Sequence, residues 1–364
     1  MRILTVHPRK DATRVGLYGD AGELKRAEIL HDRAELDKYE RVAEQWSHRL
    51  RAVEEILSEW GMSPDEAKID AVIGPAGVSG MPGSVPGGVY VIDDDLLRSL
   101  KKDRAAEHYT DLGATLADAI ARVRKTRGFA VVSLSNDEFD PISKISGLPE
   151  LPFGRMMHAL NIKDAVYRAS ADLGIPFEEV SAVVAYLGKS FSICSHSEGR
   201  VRDLANANER GPFSPSRCGG IAAAEIVRMA YSGLWSMEDL CNHLTVSGGM
   251  KSYTGTDSLL EVAKRSALGD GYAGLIYRSM AYQVAQEIVA QATVLKGRLD
   301  AVILTGGCAK DELFTEILRD KLAWLTDRLM IYPSGDEMVS MATATLRVLG
   351  GQESAHVFSQ VSVT

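Results

Sequence analysis

Residues 301–325 constrain the fold more than any other stretch of the chain. Ala301-Val302-Ile303-Leu304 is a short apolar run rich in β-branched residues, as expected of a buried strand. Thr305-Gly306-Gly307 follows, a tight turn in which glycine permits positive φ and close backbone approach. From Asp311 to Leu325, the residues Leu313, Phe314, Ile317, Leu318 and Leu322 recur at helical spacing. Strand, glycine turn and helix are the parts with which α/β proteins hold a nucleotide, the first helical amides facing a phosphate. An ordinary βα turn uses the same parts, so the stretch points to a fold class before it points to a ligand.

At 364 residues, two domains are expected rather than one. In the first, Arg2–Val6 and Arg14–Tyr18 read as strands, with His7-Pro8-Arg9-Lys10-Asp11-Ala12-Thr13 between them. This is the position of the phosphate hairpin in actin-like ATPases. Leu36, Tyr39, Val42, Trp46, Leu50, Val53, Leu57 and Trp60 predict one long amphipathic helix over 32–60, closed by Gly61. A strand at 69–73, a Gly/Pro-rich loop over 74–88, a helix over 111–127 and a strand over 129–134 follow. After a helix over 156–173, strands at 180–187 and 190–195 form a second hairpin, with 200–204 as a candidate third strand. Helices are predicted over 222–231, 237–244, 271–296 and 337–349. The strand-loop-strand opening occurs twice, from residue 1 and from residue 180. The expectation is two α/β domains with a cleft between them: 1–155, joined by the C-terminal helix 337–364, and 156–336, the nucleotide side.

Composition narrows the functional classes. A net charge of −8 argues against a general binder of nucleic acid or anionic membrane. With 45% hydrophobic and 25% charged residues, the chain has the composition of a soluble globular protein. No run of 18 apolar residues predicts a membrane span. Cys194, Cys218, Cys241 and Cys308 are scattered without metal-type spacing, which suits small buried residues in a reducing cytoplasm.

Motifs along nearly the whole chain carry a resemblance. They are Pro86-Gly87-Gly88-Val89-Tyr90, Glu107-His108, Leu112-Gly113-Ala114 and Met157-His158-Ala159-Leu160-Asn161. Gly211-Pro212-Phe213-Ser214-Pro215-Ser216-Arg217, Gly248-Gly249, Gly255-Thr256, Met280-Ala281-Tyr282-Gln283 and Leu304-Thr305-Gly306-Gly307 continue the series. In this order they resemble the butyrate kinase branch of the acetate, propionate and butyrate kinase (acetokinase) family. The resemblance implies an α/β protein of two actin-like (ribonuclease H-like) domains, in the superfamily that joins acetate and sugar kinases with actin. It also implies a homodimer and the reaction ATP + short carboxylate ⇌ ADP + acyl phosphate with Mg²⁺.

Carried over residue by residue, the resemblance makes Arg217 a retained cleft arginine and keeps His108, His158 and Asn161. Gly188 and Lys189 fall in the second phosphate hairpin, Asp257, Gly306 and Gly307 in the adenosine-side loops, and Glu337 at the acidic metal-side position. Several positions depart from the family pattern. His7, Arg9, Lys10 and Ala12 replace an Asn, a Gly and two hydroxyl positions of the first hairpin. Gly74-Pro75-Ala76-Gly77 replaces the stretch holding a carboxylate-binding arginine, and Val132-Ser133 the strand end holding a catalytic Asp. In the second hairpin Tyr186 replaces a His and Lys189 a Gly. Gly188-Lys189-Ser190 is not a P-loop, because Val183 stands where that motif needs its first Gly. Two readings stay open. One is a divergent carboxylate kinase using Arg217, Lys189 and Lys10 as replacement cations. The other is a non-catalytic pseudokinase acting as a ligand-binding, regulatory or heteromeric partner subunit.

Overall fold

The structure, a computed structural model, describes residues 1–63, 68–76, 85–100, 108–132, 138–154, 157–333 and 335–360. Gly77, Glu107 and Ser133 lie outside the described residues. The chain divides into two compact units, residues 1–138 with 336–364, and residues 139–335.

The first unit opens with β1 (Arg2–Pro8), β2 (Ala12–Gly19) and β3 (Gly22–Leu30), an antiparallel meander. Short helix α1 (Arg33–Leu36), helix α2 (Trp46–Glu59), β4 (Ala71–Ala76), β5 (Gly88–Val91), α3 (Asp94–Leu100), α4 (Leu112–Val123) and β6 (Arg127–Val132) follow. The second unit contributes α5 (Ala159–Leu173), a meander of β7 (Ala182–Leu187), β8 (Phe191–Ser197) and β9 (Arg200–Asn206), and helices α6 (Ala223–Ala230) and α7 (Met237–Thr245). Helices α8 (Met250–Thr254), α9 (Leu259–Ala267) and α10 (Gly271–Val294) lead to β10 (Ala301–Thr305), α11 (Glu312–Leu322) and β11 (Leu329–Tyr332). The chain then returns to the first unit with α12 (Glu337–Leu349) and β12 (His356–Val357).

The two sheets share a plan. The first runs β12-β5-β6-β4-β1-β2-β3 and the second β11-β10-β7-β8-β9. In each, the first strand of the antiparallel meander is flanked on its other side by a parallel strand, β4 beside β1 and β10 beside β7. Such a central strand is buried on both faces and reads as a continuous apolar run. Along β7 the faces alternate. Val183, Ala185 and Leu187 pack against the α10 layer, while Ala182, Val184 and Tyr186 pack against the α5 layer. In β10, Val302 and Leu304 join the former layer and Ala301 and Ile303 the latter.

The long helix expected over 32–60 is broken. The segment holds α1, a 3₁₀ turn at Val42–Gln45, and then α2. Trp46, counted in the predicted apolar stripe, is exposed, and the buried stripe of α2 is Arg49, Val53 and Leu57. Elements that went unread include the almost wholly exposed β3, helices α8 and α9, and the short strands β11 and β12.

Strand β4 and helix α4 cross at backbone contact. A Cβ built on Gly74 would lie 2.2 Å from the Gly113 carbonyl oxygen, and one on Gly113 would lie 2.4 Å from the Pro75 ring. Neither neighbour can yield without moving the strand or the helix. Gly74→Ala is expected to lower stability toward the upper end of about 1–3 kcal/mol. Gly147→Ala, where a Cβ meets nothing within 4 Å, serves as the control. Urea midpoints check this, and equal midpoints for the two variants would contradict the packing account.

Candidate active site

In the second unit, three chain segments converge on the tip of the β7–β8 hairpin. The Lys189 carbonyl accepts from Ser214 Oγ at 2.7 Å, Ser216 Oγ at 2.9 Å and the Ser216 amide at 3.2 Å. These bonds fasten the tip to the Ser214–Arg217 loop. The Lys189 ammonium reaches Asp257 Oδ2 at 2.8 Å, with its side chain 76% exposed. An exposed pair of this kind contributes about 0–1 kcal/mol, so a phosphate can displace Asp257 at little cost. The third segment is the Thr305–Gly307 turn. A Cβ on Gly306 would meet the Leu187 backbone at 2.5 Å, so this glycine lets β10 and β7 end side by side. Nothing lies within 4 Å of a Cβ built on Gly307. The Cys308 thiol donates to the Gly188 carbonyl at 3.4 Å, and burial pushes it up to about 12.

Arg217 is the distinctive cation of this cluster. Its amide donates to Ser214 Oγ at 3.1 Å and its carbonyl accepts from the Ser214 amide at 3.0 Å, which fixes the backbone of the loop. Nη1 donates to Asn208 Oδ1, a neutral acceptor. Nε is buried with no partner among the described residues. No carboxylate among them pairs with the guanidinium, and burial holds its pKa below the ordinary arginine value. A part-buried fork without a counter-ion among the described residues is suited to a carboxylate or phosphate.

His158 stacks on Tyr186 at a centroid distance of 4.0 Å, and its Nδ1 lies 3.0 Å from Ser192 Oγ. It therefore supports the hairpin close to its tip, where Tyr186 pairs with Ser192. The amides at the start of α11 are differently placed from the sequence expectation. A 3₁₀ turn, Gly307–Lys310, intervenes, and Asp311 caps the helix by accepting from the Phe314 amide at 3.1 Å. The Tyr277 hydroxyl donates to the same carboxylate oxygen at 2.8 Å.

The first unit holds the remaining candidates. His7 Nε2 lies 3.0 Å from Glu337 Oε2. The neighbouring Asp336 caps α12 through the Met338 amide at 3.0 Å and pairs with Arg26. Both carboxylates at the start of α12 are thus engaged, and no group of three or more His, Cys, Asp or Glu suited to a metal occurs among the described residues. Glu337 Oε2 contacts His7, and a hydrogen-bonded carboxylate keeps lone pairs with which it can still ligate Mg²⁺. His108 caps a 3₁₀ turn, its Nδ1 accepting from the Thr110 amide at 3.3 Å. Burial lowers its pKa, opposed by Asp111 and assisted by His7.

Sequence reasoning missed Arg49. Its side chain is fully buried, and it donates to the carbonyls of Lys10 and Ala12, at 3.0 and 2.9 Å, in the β1–β2 tip. A signal was present: a charged residue at an apolar-stripe position, four and eight residues before Val53 and Leu57. Beside it, His31 Nε2 contacts Thr13 Oγ1 at 2.8 Å.

Comparisons with known proteins agree over the length of the chain. The acetokinase family model matches residues 160–326. A protein of Caldanaerobacter subterraneus subsp. tengcongensis named probable butyrate kinase 2 is 36% identical, covering 98% of this chain and 99% of its own. Butyrate kinase 2 of Clostridium acetobutylicum is 33% identical, covering 97% of this chain and 98% of its own. Among solved structures, Porphyromonas gingivalis acetate kinase matches with a TM-score of 0.79 at 15% identity, covering 96% of this chain and 99% of its own.

Burial, then Arg49 and then His48 push the His31 imidazole down from 6.5 to about 4. Below about pH 6.5 the unfolded chain takes up a proton there that the folded chain refuses until about pH 4. Its contribution is intact above that window and is lost as pH falls through it, by at most roughly 3 kcal/mol. Melting curves between about pH 7 and pH 4 are expected to fall more steeply for the natural protein than for His31→Gln. Parallel slopes would rule out this imidazole as the source.

Proposed function

Because the chain belongs to the butyrate kinase branch of the acetokinase family, whose acetate kinase relatives share its actin-like fold, we propose that it is a carboxylate kinase. The reaction is transfer of the terminal phosphoryl group of ATP to a short-chain carboxylate, and its reverse. A carboxylate oxygen attacks the γ-phosphorus, the bond to the β–γ bridging oxygen breaks, and ADP leaves with that electron pair. Such a transfer is governed by positioning and by neutralising charge on the phosphoryl oxygens.

The observation that carries the reading is Arg217, a fork with a buried Nε and no counter-ion among the described residues. In the proposed site it binds the carboxylate or the phosphoryl group leaving with it. Lys189 exchanges Asp257 for a nucleotide phosphate, and Gly188, Gly306 and Gly307 let the hairpin and the adjoining turn sit close to the nucleotide. His158 holds Tyr186 and the tip end of the hairpin in place, and His108 lies by the first hairpin. Glu337, contacted by His7, would be the residue to hold a Mg²⁺ ion, which would neutralise charge on the phosphates.

The same contacts favour a second reading. Asp257 and Glu337, acidic groups of the nucleotide and metal sides, are each met by a basic side chain of the chain itself, Lys189 and His7. In that reading the protein binds an acyl anion without turning it over. Hydroxamate trapping with ATP, Mg²⁺ and a panel of short acids separates the two. On the kinase reading, acyl phosphate forms and Arg217→Met lowers kcat/KM by about 10²–10³. Calorimetric binding of butyrate that Arg217→Met abolishes, with no hydroxamate formed, would establish the non-catalytic reading instead.

Self-association belongs to the same proposal. Helix α6 has no buried residue, and Val227, Tyr231, Leu234 and Met237 stand exposed along and after it. An apolar surface of this kind marks an interaction site, and the resemblance names a second copy as its occupant. Sedimentation is expected to show a dimer that the double variant Leu234→Glu/Met237→Glu converts to monomer. A monomeric natural protein would remove this part of the proposal.

A further inference from the structure

Arg49 is a charge that the proposed reaction leaves unused. It sits in α2 with zero exposure, surrounded by neutral acceptors. Nη1 donates to the Ala12 carbonyl at 2.9 Å and to Thr13 Oγ1 at 3.1 Å. Nη2 donates to the Lys10 carbonyl at 3.0 Å and to Gln45 Oε1 at 2.9 Å, and Nε reaches Gln45 Oε1 at 3.2 Å. No carboxylate pairs with it among the described residues; the exposed Asp11 acts on it only through space.

The remaining bonds at the hairpin tip complete a pattern. The Arg9 amide donates to the Ala12 carbonyl at 2.7 Å, and the His31 amide to the Asp11 carbonyl at 2.9 Å. The carbonyls of Lys10, Asp11 and Ala12 are therefore all occupied. The amides of Lys10 and Asp11 find no acceptor among the described residues. Successive amides left without acceptors at a turn are donors open to an anion, and taking a guanidinium out of water is costly unless an anion or several dipoles offset it.

We infer that Arg49 is a positioning residue, whose guanidinium gathers the tip carbonyls so that the amides of Lys10 and Asp11 are left to bind phosphate oxygens. The inference rests on reading the β1–β2 turn as a phosphate hairpin. It explains how a tip without the family's hydroxyls retains phosphate donors: they are main-chain groups. Asp11 opposes an incoming anion, and Arg9 and Lys10 beside it offset that charge.

The test is titration of the full chain, labelled with ¹⁵N-lysine, with pyrophosphate, following the Lys10 amide resonance (assigned by its loss in Lys10→Arg). In the natural protein the Lys10 resonance shifts and saturates. Arg49→Met weakens the fitted affinity by about tenfold or more, and Arg49→Lys restores it in part, since an ammonium cannot bridge all the acceptors. If neither variant folds, Gln45→Met keeps the guanidinium, removes its anchor, and is expected to weaken the affinity by about threefold. A merely structural Arg49 would lower the melting temperature and leave pyrophosphate affinity unchanged, which overturns the inference. So does a Lys10 resonance that pyrophosphate never moves in the natural protein. A saturating shift without any hydroxamate formation sinks the kinase reading and leaves the assignment of Arg49 intact.

Discussion

Burial of the first strand of each meander on both faces decides where chemistry can occur in this protein. Every residue of β1 after Arg2, and every residue of β7, is buried. Side chains along such strands have no room for polar work, so the chemical groups collect where the strands end. His7 stands at the end of β1, Lys189 just past the end of β7, and Gly306 just past the end of β10. The candidate groups are concentrated at the strand ends because the sheet interiors exclude them.

Within that constraint, the two hairpins carry their positive charge differently. At the β7–β8 tip the cation is a side chain on the surface, with Lys189 reaching over to Asp257. At the β1–β2 tip it lies underneath, with Arg49 holding the backbone from the core side. The distinction matters energetically. An exposed ammonium is well hydrated and exchanges partners readily, whereas a buried guanidinium keeps its geometry and its charge. Lys189 is thus suited to follow a ligand, and Arg49 to define the shape a ligand meets.

Where one interaction dominated a segment, its structure was legible in the sequence. The β-branched runs at 182–187 and 301–305 have a single good burial solution, and the strands fell there. The Gly306 turn was legible for the same reason, although its glycine serves strand packing against Leu187 as much as any ligand. Strand β3, Gly-Glu-Leu-Lys-Arg-Ala-Glu-Ile-Leu, was not legible. It is a charged edge strand paired only with β2, and period-2 burial leaves no trace in it. The break in 32–60 was hidden because Trp46 fits an apolar stripe by spacing while lying exposed, and Arg49 breaks the stripe by type while lying buried. Of the candidate site, Arg217, Lys189 and Asp257 could be named from motif positions, but the bonds from Ser214 and Ser216 that join the loop to the hairpin needed coordinates.

Side-chain losses alone therefore do not decide whether a phosphate hairpin is disabled. A hydroxyl contributes one donor to a phosphate, and a backbone amide contributes a donor of similar strength. Replacing hydroxyl positions by Lys10 and Ala12 removes side-chain donors but leaves the amides of Lys10 and Asp11 in place. What those amides need is a backbone held so that its carbonyls point elsewhere, and Arg49 with the His31 amide occupies all three tip carbonyls. The metal side is different. There the charge must come from a side chain, since no main-chain group carries one; Glu337 contacts His7 through Oε2 and still has lone pairs to offer a cation. The altered residues thus weigh unequally. A lost hydroxyl has a main-chain donor of similar strength beside it, whereas a lost charged ligand has no main-chain substitute.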